Sequence, residues 1–357
     1  MRYVPVKCLR PGQKLASDLR MYDKSIFIRQ NIPLTTRMIR RVQSLGLQGV
    51  YIEDDISKDL YAANIISEGL QRKAKKEIRS LFIDAEGKKE NRISVHIATM
   101  DGVVKDMVDE ILHNKNVMVN IIDIRTFDDY TFSHSLNVAV LSVVIGTVLN
   151  LDRKQLRELA MGALIHDIGK VFIDKKILDK PGKLTSEEMN EIKKHSRAGY
   201  DYIKSNCMIP ADAAEAILTH HEQFNGNGYP LGLKKEEIHF FGRIISVADV
   251  YDALTSDRTY RSALMPADAV EYIMSGYESM FDPKVVSAFI RKVAPFPVGT
   301  RVRLSNGITG IVVENYESYG LRPKIRVIEG EKPTEEVIDL AHDKSTLNLT
   351  VQQVLNG

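Results

Sequence analysis

Five of the nine histidines in this 357-residue chain, His134, His166, His195, His220 and His221, fall within 88 residues of one another. Singly, each reads as a surface or satisfied core histidine. Their positions within apolar periodicity read differently. Leu156, Leu159, Ala160 and Ala163 mark one helical face, and His166 and Asp167 fall on the same side three turns after Leu156. A His-Asp pair aimed into a core must be paired or bind metal, because an isolated buried carboxylate is too costly. The helix that opens at Ser186 begins with a capping box, Thr185 with Glu188, and carries an inner stripe of Met189, Ile192, Gly199 and Ile203 with His195 in its gap. Ile217 is followed at +3 and +4 by His220 and His221, on one face. RIISVADVYDAL places Asp249 inward beside Ile245 and Ala248, with Asp252 a turn further on. His134 lies in a segment apolar nearly all round. Histidines and carboxylates converging in a helical bundle bind two divalent metals through mixed N/O ligands, with a carboxylate able to bridge. The alternative is a set of unrelated buried histidines hydrogen-bonded to backbone.

The elements that must position these residues follow from pattern. The first ~55 residues form a small β-rich module by the strand and turn signals, with strands near Ser25–Gln30 and Gly49–Ile52 and a turn at Pro11-Gly12. Thr35–Leu45 has helical spacing, stopped by Gly46. Lys58–Phe82 and Ser94–His113 read as two long helices around an Asp84–Arg92 loop. The Arg72–Lys76 charge run reads as a solvated helix face. Thr131 to about Val293 is almost all helical, with Gly169 as a helix stop after His166-Asp167. After Pro295 and Pro297, RVRLSNGITGIVVE forms a hairpin about Asn306-Gly307, and Lys324–Ile328 a third strand. The expected boundaries are 1–56 for the N-terminal module, 57–127 for a helical connecting or regulatory segment, 128–293 for the catalytic bundle and 294–357 for a small β extension. The fold class is mainly α.

Composition sets the broad class. The chain is 44% hydrophobic and 27% charged, as in folded soluble proteins, with a net charge of +2 that suggests no nucleic-acid polymer or membrane-surface partner. Cys8 and Cys207 are far apart and in no CxxC, which argues against a disulfide scaffold or a cysteine–zinc site. The N-terminal MRYVPVKCLRPG has charges where a signal peptide needs an apolar core. Leu136–Leu151 is too short and too polar to span a bilayer. A cytoplasmic protein is expected.

His166-Asp167-Ile168-Gly169-Lys170 resembles the signature of the HD phosphohydrolases. His220 to Pro230, HHEQFNGNGYP, is similar to the HHExxxGxGYP signature of the HD-GYP subfamily. TFSHS at Thr131–Ser135, ILDKPGKLTSEE at Ile177–Glu188, ADVYDALTSDRTYR at Ala248–Arg261, Gly276 and Phe281-Asp282-Pro283 extend the likeness over roughly 128–293. The resemblance implies an HD-type bundle and a phosphodiesterase acting on cyclic di-GMP. It implies His134, His166, Asp167, His195, His220, His221 and Asp249 as metal ligands, with Asp167 bridging, and two divalent ions, iron or manganese. It also implies Lys170 aimed at a phosphate, and Tyr229, Arg258 and Arg261 in contact with the dinucleotide. Asp252 matches a position near the reacting centre. Some relatives carry Glu four residues before the first ligand histidine and hold a third metal; here that residue is Tyr130, a poor ligand with a pKa near about 10, which leaves a two-metal site expected.

The chemistry fits those residue types. A phosphodiester is shielded by its charge, and two metals about 3.5–4 Å apart can turn a bridging water into a hydroxide for in-line attack. Lys170 adds a cation for phosphoryl oxygens or the leaving group. Arg258 and Arg261, three apart, share a face on a helical turn and suit a phosphate clamp. Tyr229 suits stacking on a guanine, with Gly226 and Gly228 letting backbone approach closely. The expected product is the linear dinucleotide, and onward hydrolysis to GMP stays open. Hydrolysis of another cyclic dinucleotide or of a nucleotide, and a non-catalytic cyclic di-GMP receptor or scaffold, are the competing readings; filled ligand positions favour an enzyme. Signalling protein partners of the N-terminal module and a homodimer stay open.

Overall fold

The computed structural model describes residues 1–20, 26–44, 49–57, 59–60, 65–114, 118, 130–256, 263–330 and 332–355. The N-terminal module contains β1 (Arg2–Pro5), β2 (Lys14–Leu15), β3 (Leu19–Arg20), β4 (Ile26–Ile28), α1 (Thr36–Gln43) and β5 (Gly49–Glu53). An antiparallel sheet runs β1-β5-β2, and β3 pairs with β4. Alternation in GVYIE turns Val50 and Ile52 toward a small core with Val4, Leu15, Ile28, Leu34 and Val42. The Thr35 hydroxyl accepts from the Met38 N–H at 3.2 Å and starts α1. Gly46, expected to stop it, lies outside the described residues.

Two long helices follow, α2 (Glu68–Glu86) and α3 (Glu90–His113). The first begins later than its periodicity suggests. Ser67 caps it by accepting from the Leu70 N–H at 3.3 Å, and the Ser67 N–H and hydroxyl donate to Glu110 at 2.6 and 2.9 Å. The expected nine-residue loop shrinks to Gly87–Lys89, because Asp84–Glu86 continue α2 and Glu90 already belongs to α3. The Arg72–Lys76 run is a solvated face except at Lys75, which is buried.

The bundle comprises α4 (Tyr130–Val148), α5 (Arg153–Ile165), α6 (Lys175–Leu178), α7 (Ser186–Lys193), α8 (His195–Asn206), α9 (Ala211–Thr219), α10 (Phe240–Thr255), α11 (Pro266–Ser275) and α12 (Pro283–Lys292). One apolar core runs through it and takes in α2 and α3. α4 is its centre: Leu136, Val138, Val140, Leu141, Val143 and Ile145 are all fully buried. The expected boundary at 127/128 falls outside the described residues. Among the described residues, no helix is long and apolar enough to cross a membrane.

Two local expectations are corrected. The helix opening at Ser186 does not run on to Ile203; it breaks at Lys194. The capping box forms as expected, with Glu188 N–H to Thr185 Oγ1 at 3.2 Å and Thr185 N–H to the Glu188 carboxylate at 2.7 Å. At the break, the Ile192 carbonyl accepts from the His195 ring at 2.7 Å, and Met189 is left exposed. Gly169 is not a helix stop, since α5 has already ended at Ile165. It lies in a 3-10 turn, Ile168–Phe172, pressed onto α8 so closely that a Cβ there would sit 1.9 Å from the His195 carbonyl oxygen and 2.6 Å from the Gly199 nitrogen.

The C-terminal sheet consists of β6 (Arg301–Leu304), β7 (Thr309–Glu314), β8 (Lys324–Glu329), β9 (Lys332–Asp339) and β10 (Val351–Val354), in antiparallel order β10-β6-β7-β8-β9. The Asn306-Gly307 turn joins β6 to β7, with Gly307 at φ +87°. β9 and β10 add to the three expected strands; β9 is an edge strand whose Pro333 and exposed charges hide the apolar alternation. Ile56 and Leu60 pack against Ile311 and Ile328 of this sheet, and Arg326 holds Asp59 through two bonds of 3.0 and 2.7 Å.

The Gly169 contact yields a test. Gly169→Ala forces backbone against backbone and should destabilise the protein by about 1–3 kcal/mol or more in denaturant unfolding. A variant as stable as the wild type would show that the turn and α8 are not in this contact.

Candidate metal centre

Three histidines reach the centre through one local device. His166 follows the last residue of α5, His220 follows the last residue of α9, and His195 follows α7 across the break. The last carbonyls of a helix lack intrahelical N–H partners. Each imidazole folds back onto such a carbonyl three residues earlier: His166 Nδ1 to Ala163 at 2.7 Å, His195 Nδ1 to Ile192 at 2.7 Å and His220 Nδ1 to Ile217 at 2.8 Å. A carbonyl only accepts, so Nδ1 carries the proton in each ring and Nε2 presents a lone pair.

Those lone pairs converge on Asp167, which is 2% exposed. Its Oδ1 is 3.4 Å from His195 Nε2, and its Oδ2 lies 3.5 Å from His166 Nε2 and 3.8 Å from His134 Nε2. His134 has the same orientation but is anchored on a carboxylate instead of a backbone carbonyl. Its Nδ1 meets Asp252 at 2.7 Å and its Nε2 stands 3.1 Å from Asp249 Oδ1. Asp249 Oδ2 is 3.8 Å from His221 Nδ1 at the partly exposed edge of the cluster. The seven residues expected as ligands are thus brought together.

The donor set fits divalent cations. His195 Nε2 and His220 Nε2 face each other at 3.3 Å with a lone pair on each. Among the described residues, His166 Nε2 and Asp167 Oδ1 are buried without a hydrogen-bond partner. Such contacts are costly unless a cation takes the electrons. The atoms form two overlapping groups, Asp167 with His195, His220 and His221, and Asp167 with His134 and His166, each spanning no more than 4.8 Å.

Protonation agrees with this. Burial lowers the pKa of His166, His195, His220 and His221, with neighbouring rings adding to the effect, so the imidazoles are neutral. Burial raises Asp167, but opposing charge, led by the Lys170 ammonium, holds the carboxyl well below the usual range. Asp249 is likewise pushed up by burial and pulled further down, chiefly by its hydrogen bond to His134. Neutral imidazoles and ionised carboxylates are the forms that bind metal.

Lys170 donates to Asp167 Oδ2 at 2.6 Å with a third of its side chain exposed, so its ammonium stands at the mouth. The Tyr229 ring stacks on His221, centroids 4.8 Å apart and planes 28° apart, so one partner of that ring is already part of the cluster. Asp252 is corrected. It is fully buried behind His134, with Oδ2 on His134 Nδ1 and Oδ1 accepting from Asn137 Nδ2 at 2.8 Å, so it orients a ring instead of facing a reacting centre. Arg258 and Arg261 lie outside the described residues.

Two residues escaped the sequence reading. Asn137 stands one turn after His134 in a mostly apolar helix, and a polar amide within that apolar run was the available signal. Glu222, 2% exposed, accepts from the N–H groups of Leu231, Gly232 and Leu233 at 2.7, 3.1 and 3.1 Å and so folds the loop that carries Tyr229. Gly228 completes that fold, since a Cβ there would lie 2.2 Å from the Gln223 nitrogen.

Comparison with known proteins accords with this arrangement. Residues 116–285 match the HD domain family. A cyclic di-GMP phosphodiesterase of Pseudomonas aeruginosa is 34% identical over 282 residues, 77% of this chain and 66% of that protein. The cyclic di-GMP phosphodiesterase response regulator RpfG of Xanthomonas campestris is 42% identical over 156 residues, 42% of this chain and 41% of that one. A 3'3'-cGAMP-specific phosphodiesterase of Vibrio cholerae is 36% identical over 169 residues, 47% of this chain and 36% of that one. The chain spans about two thirds of the first relative and less than half of the other two. On these matches and the His220–Pro230 loop, the chain belongs to the HD domain family, in its HD-GYP branch.

Proposed function

We propose that the protein is a cytoplasmic, metal-dependent phosphodiesterase that hydrolyses cyclic di-GMP to the linear dinucleotide, and onward to GMP. One observation carries this reading: two groups of donor atoms share Asp167, so the residues present would hold two divalent cations side by side. His134, His166 and Asp167 would hold one ion and Asp167, His195, His220 and His221 the other, with Asp249 between His134 and His221 within reach of both. Bound there, the ions supply Lewis acidity toward phosphoryl oxygens and lower the pKa of a water. Iron or manganese suits the mixed N/O set. Tyr130, in place of a carboxylate one turn before His134, argues for two ions and not three.

The chain's own groups do the rest. Lys170 is anchored on Asp167, and an ammonium carries three N–H donors, so it can meet a phosphate oxygen without leaving the carboxylate. Asp252 and Asn137 fix the His134 ring and its proton. Arg258 and Arg261, which come after α10 in the sequence, would clamp the phosphate. A second reading, hydrolysis of 3'3'-cGAMP, is favoured by the identity to the Vibrio relative. The complete donor set argues against a receptor that never turns substrate over.

Asp167→Ala should abolish hydrolysis of cyclic di-GMP and lower metal content while circular dichroism stays helical. Wild-type rates from that variant, or three well-occupied anomalous peaks in the wild-type cluster, would refute the two-ion mechanism. Turnover of 3'3'-cGAMP well above that of cyclic di-GMP would select the second reading. Asp252→Ala should weaken metal affinity about 10- to 100-fold in chelator competition, with Asp252→Asn in between; unchanged affinity would remove Asp252 from the support of His134. Arg258→Ala and Arg261→Ala should each raise KM about tenfold with metal content unchanged; metal loss without a KM effect would sink that assignment.

A further inference from the structure

Beside the cluster lies a groove of about 470 Å³, lined by Lys193, Lys194 and Arg197 on one side and by Tyr229 and Pro230 on the other. Its volume is that of a small-ligand site. It shares a wall with the metal centre, because Tyr229 stacks on His221 while the Lys193 ammonium stands 5.4 Å from the centre of the same ring. The α7–α8 break explains the adjacency: it sends His195 into the cluster and leaves Lys193, two residues earlier, over Tyr229.

The three cations differ in what neutralises them. Arg197 Nε donates to Asp201 at 3.1 Å, and Lys194 pairs with Glu191. Lys193, half-buried, makes no ion pair among the described residues and rests on the tyrosine ring. A π face attracts an ammonium weakly at a wet site, and a phosphate oxygen attracts it more strongly through a charge-assisted hydrogen bond. A cyclic dinucleotide carries two phosphodiesters in one small ring. With one at the donor cluster, the other needs a cation a short distance away and outside the cluster.

We propose that Lys193 binds the phosphate that is not being cleaved, and that the groove takes the nucleotide attached to it. This rests on the substrate reading above. Lys193→Ala in the full chain should raise KM for cyclic di-GMP about 10- to 100-fold, change kcat far less and flatten the dependence of KM on salt. Metal content should stay at the wild-type value, and Lys193→Arg should restore KM. An unchanged KM for Lys193→Ala, or a rise that tracks loss of metal, would overturn the proposal while leaving the substrate reading intact. Wild-type protein that cleaves bis(p-nitrophenyl) phosphate but neither binds nor cleaves a cyclic dinucleotide would overturn the substrate reading and this inference with it.

Discussion

Asp167 is an anion held almost out of water, and most of the bundle can be understood as what that requires. A carboxylate in a low-dielectric interior is tolerable only when hydrogen bonds or cations surround it. Among the described residues it has one ammonium, from Lys170, and imidazole nitrogens that offer lone pairs and not protons. The set is therefore short of positive charge, and it is short where the donor atoms converge. A site built this way favours divalent cations over a proton network.

The imidazoles hold their lone pairs inward because the helices end where they do. An uninterrupted helix would consume the carbonyls of Ala163, Ile192 and Ile217 in its own ladder. Ending or breaking α5, α7 and α9 leaves those carbonyls to fix three rings and three tautomers. Close backbone contact then sets the spacing. Gly169 against His195 and Gly199 brings the Asp167 turn onto α8, and Gly228 against Glu222 and Gln223 brings Tyr229 over His221. Ring orientation is thus a product of main-chain geometry, and helix packing has only to bring the ends together.

The outer modules meet at the segment that leads into α2. The segment leading into α2 is gripped by the C-terminal sheet through Ile56, Leu60 and the Arg326–Asp59 pair, and α2 packs with α3 against α4. The chain's first and last modules are therefore joined through the segment that leads into α2. The surface part of that link, a partly exposed ion pair, contributes little by itself; the apolar contact beneath it supplies the attachment.

Residue identity carried far in this protein. His134, His166, Asp167, His195, His220, His221 and Asp249 were legible as a set because each interrupts an apolar stripe, and local periodicity is a property of the sequence. The capping box at Thr185 and the Asn306-Gly307 hairpin were legible for the same reason: their bonds close within a few residues. What periodicity cannot carry is where a helix yields to a bond from elsewhere. The start of α2 at Ser67 and the close approach at Gly169 are decided by partners that the fold brings in. Asp252 shows the same limit from the chemical side. Its type and spacing suit a reacting carboxylate as well as a supporting one, and only the positions of His134 and Asn137 around it, over a hundred residues away in the chain, decide that both its oxygens are already engaged.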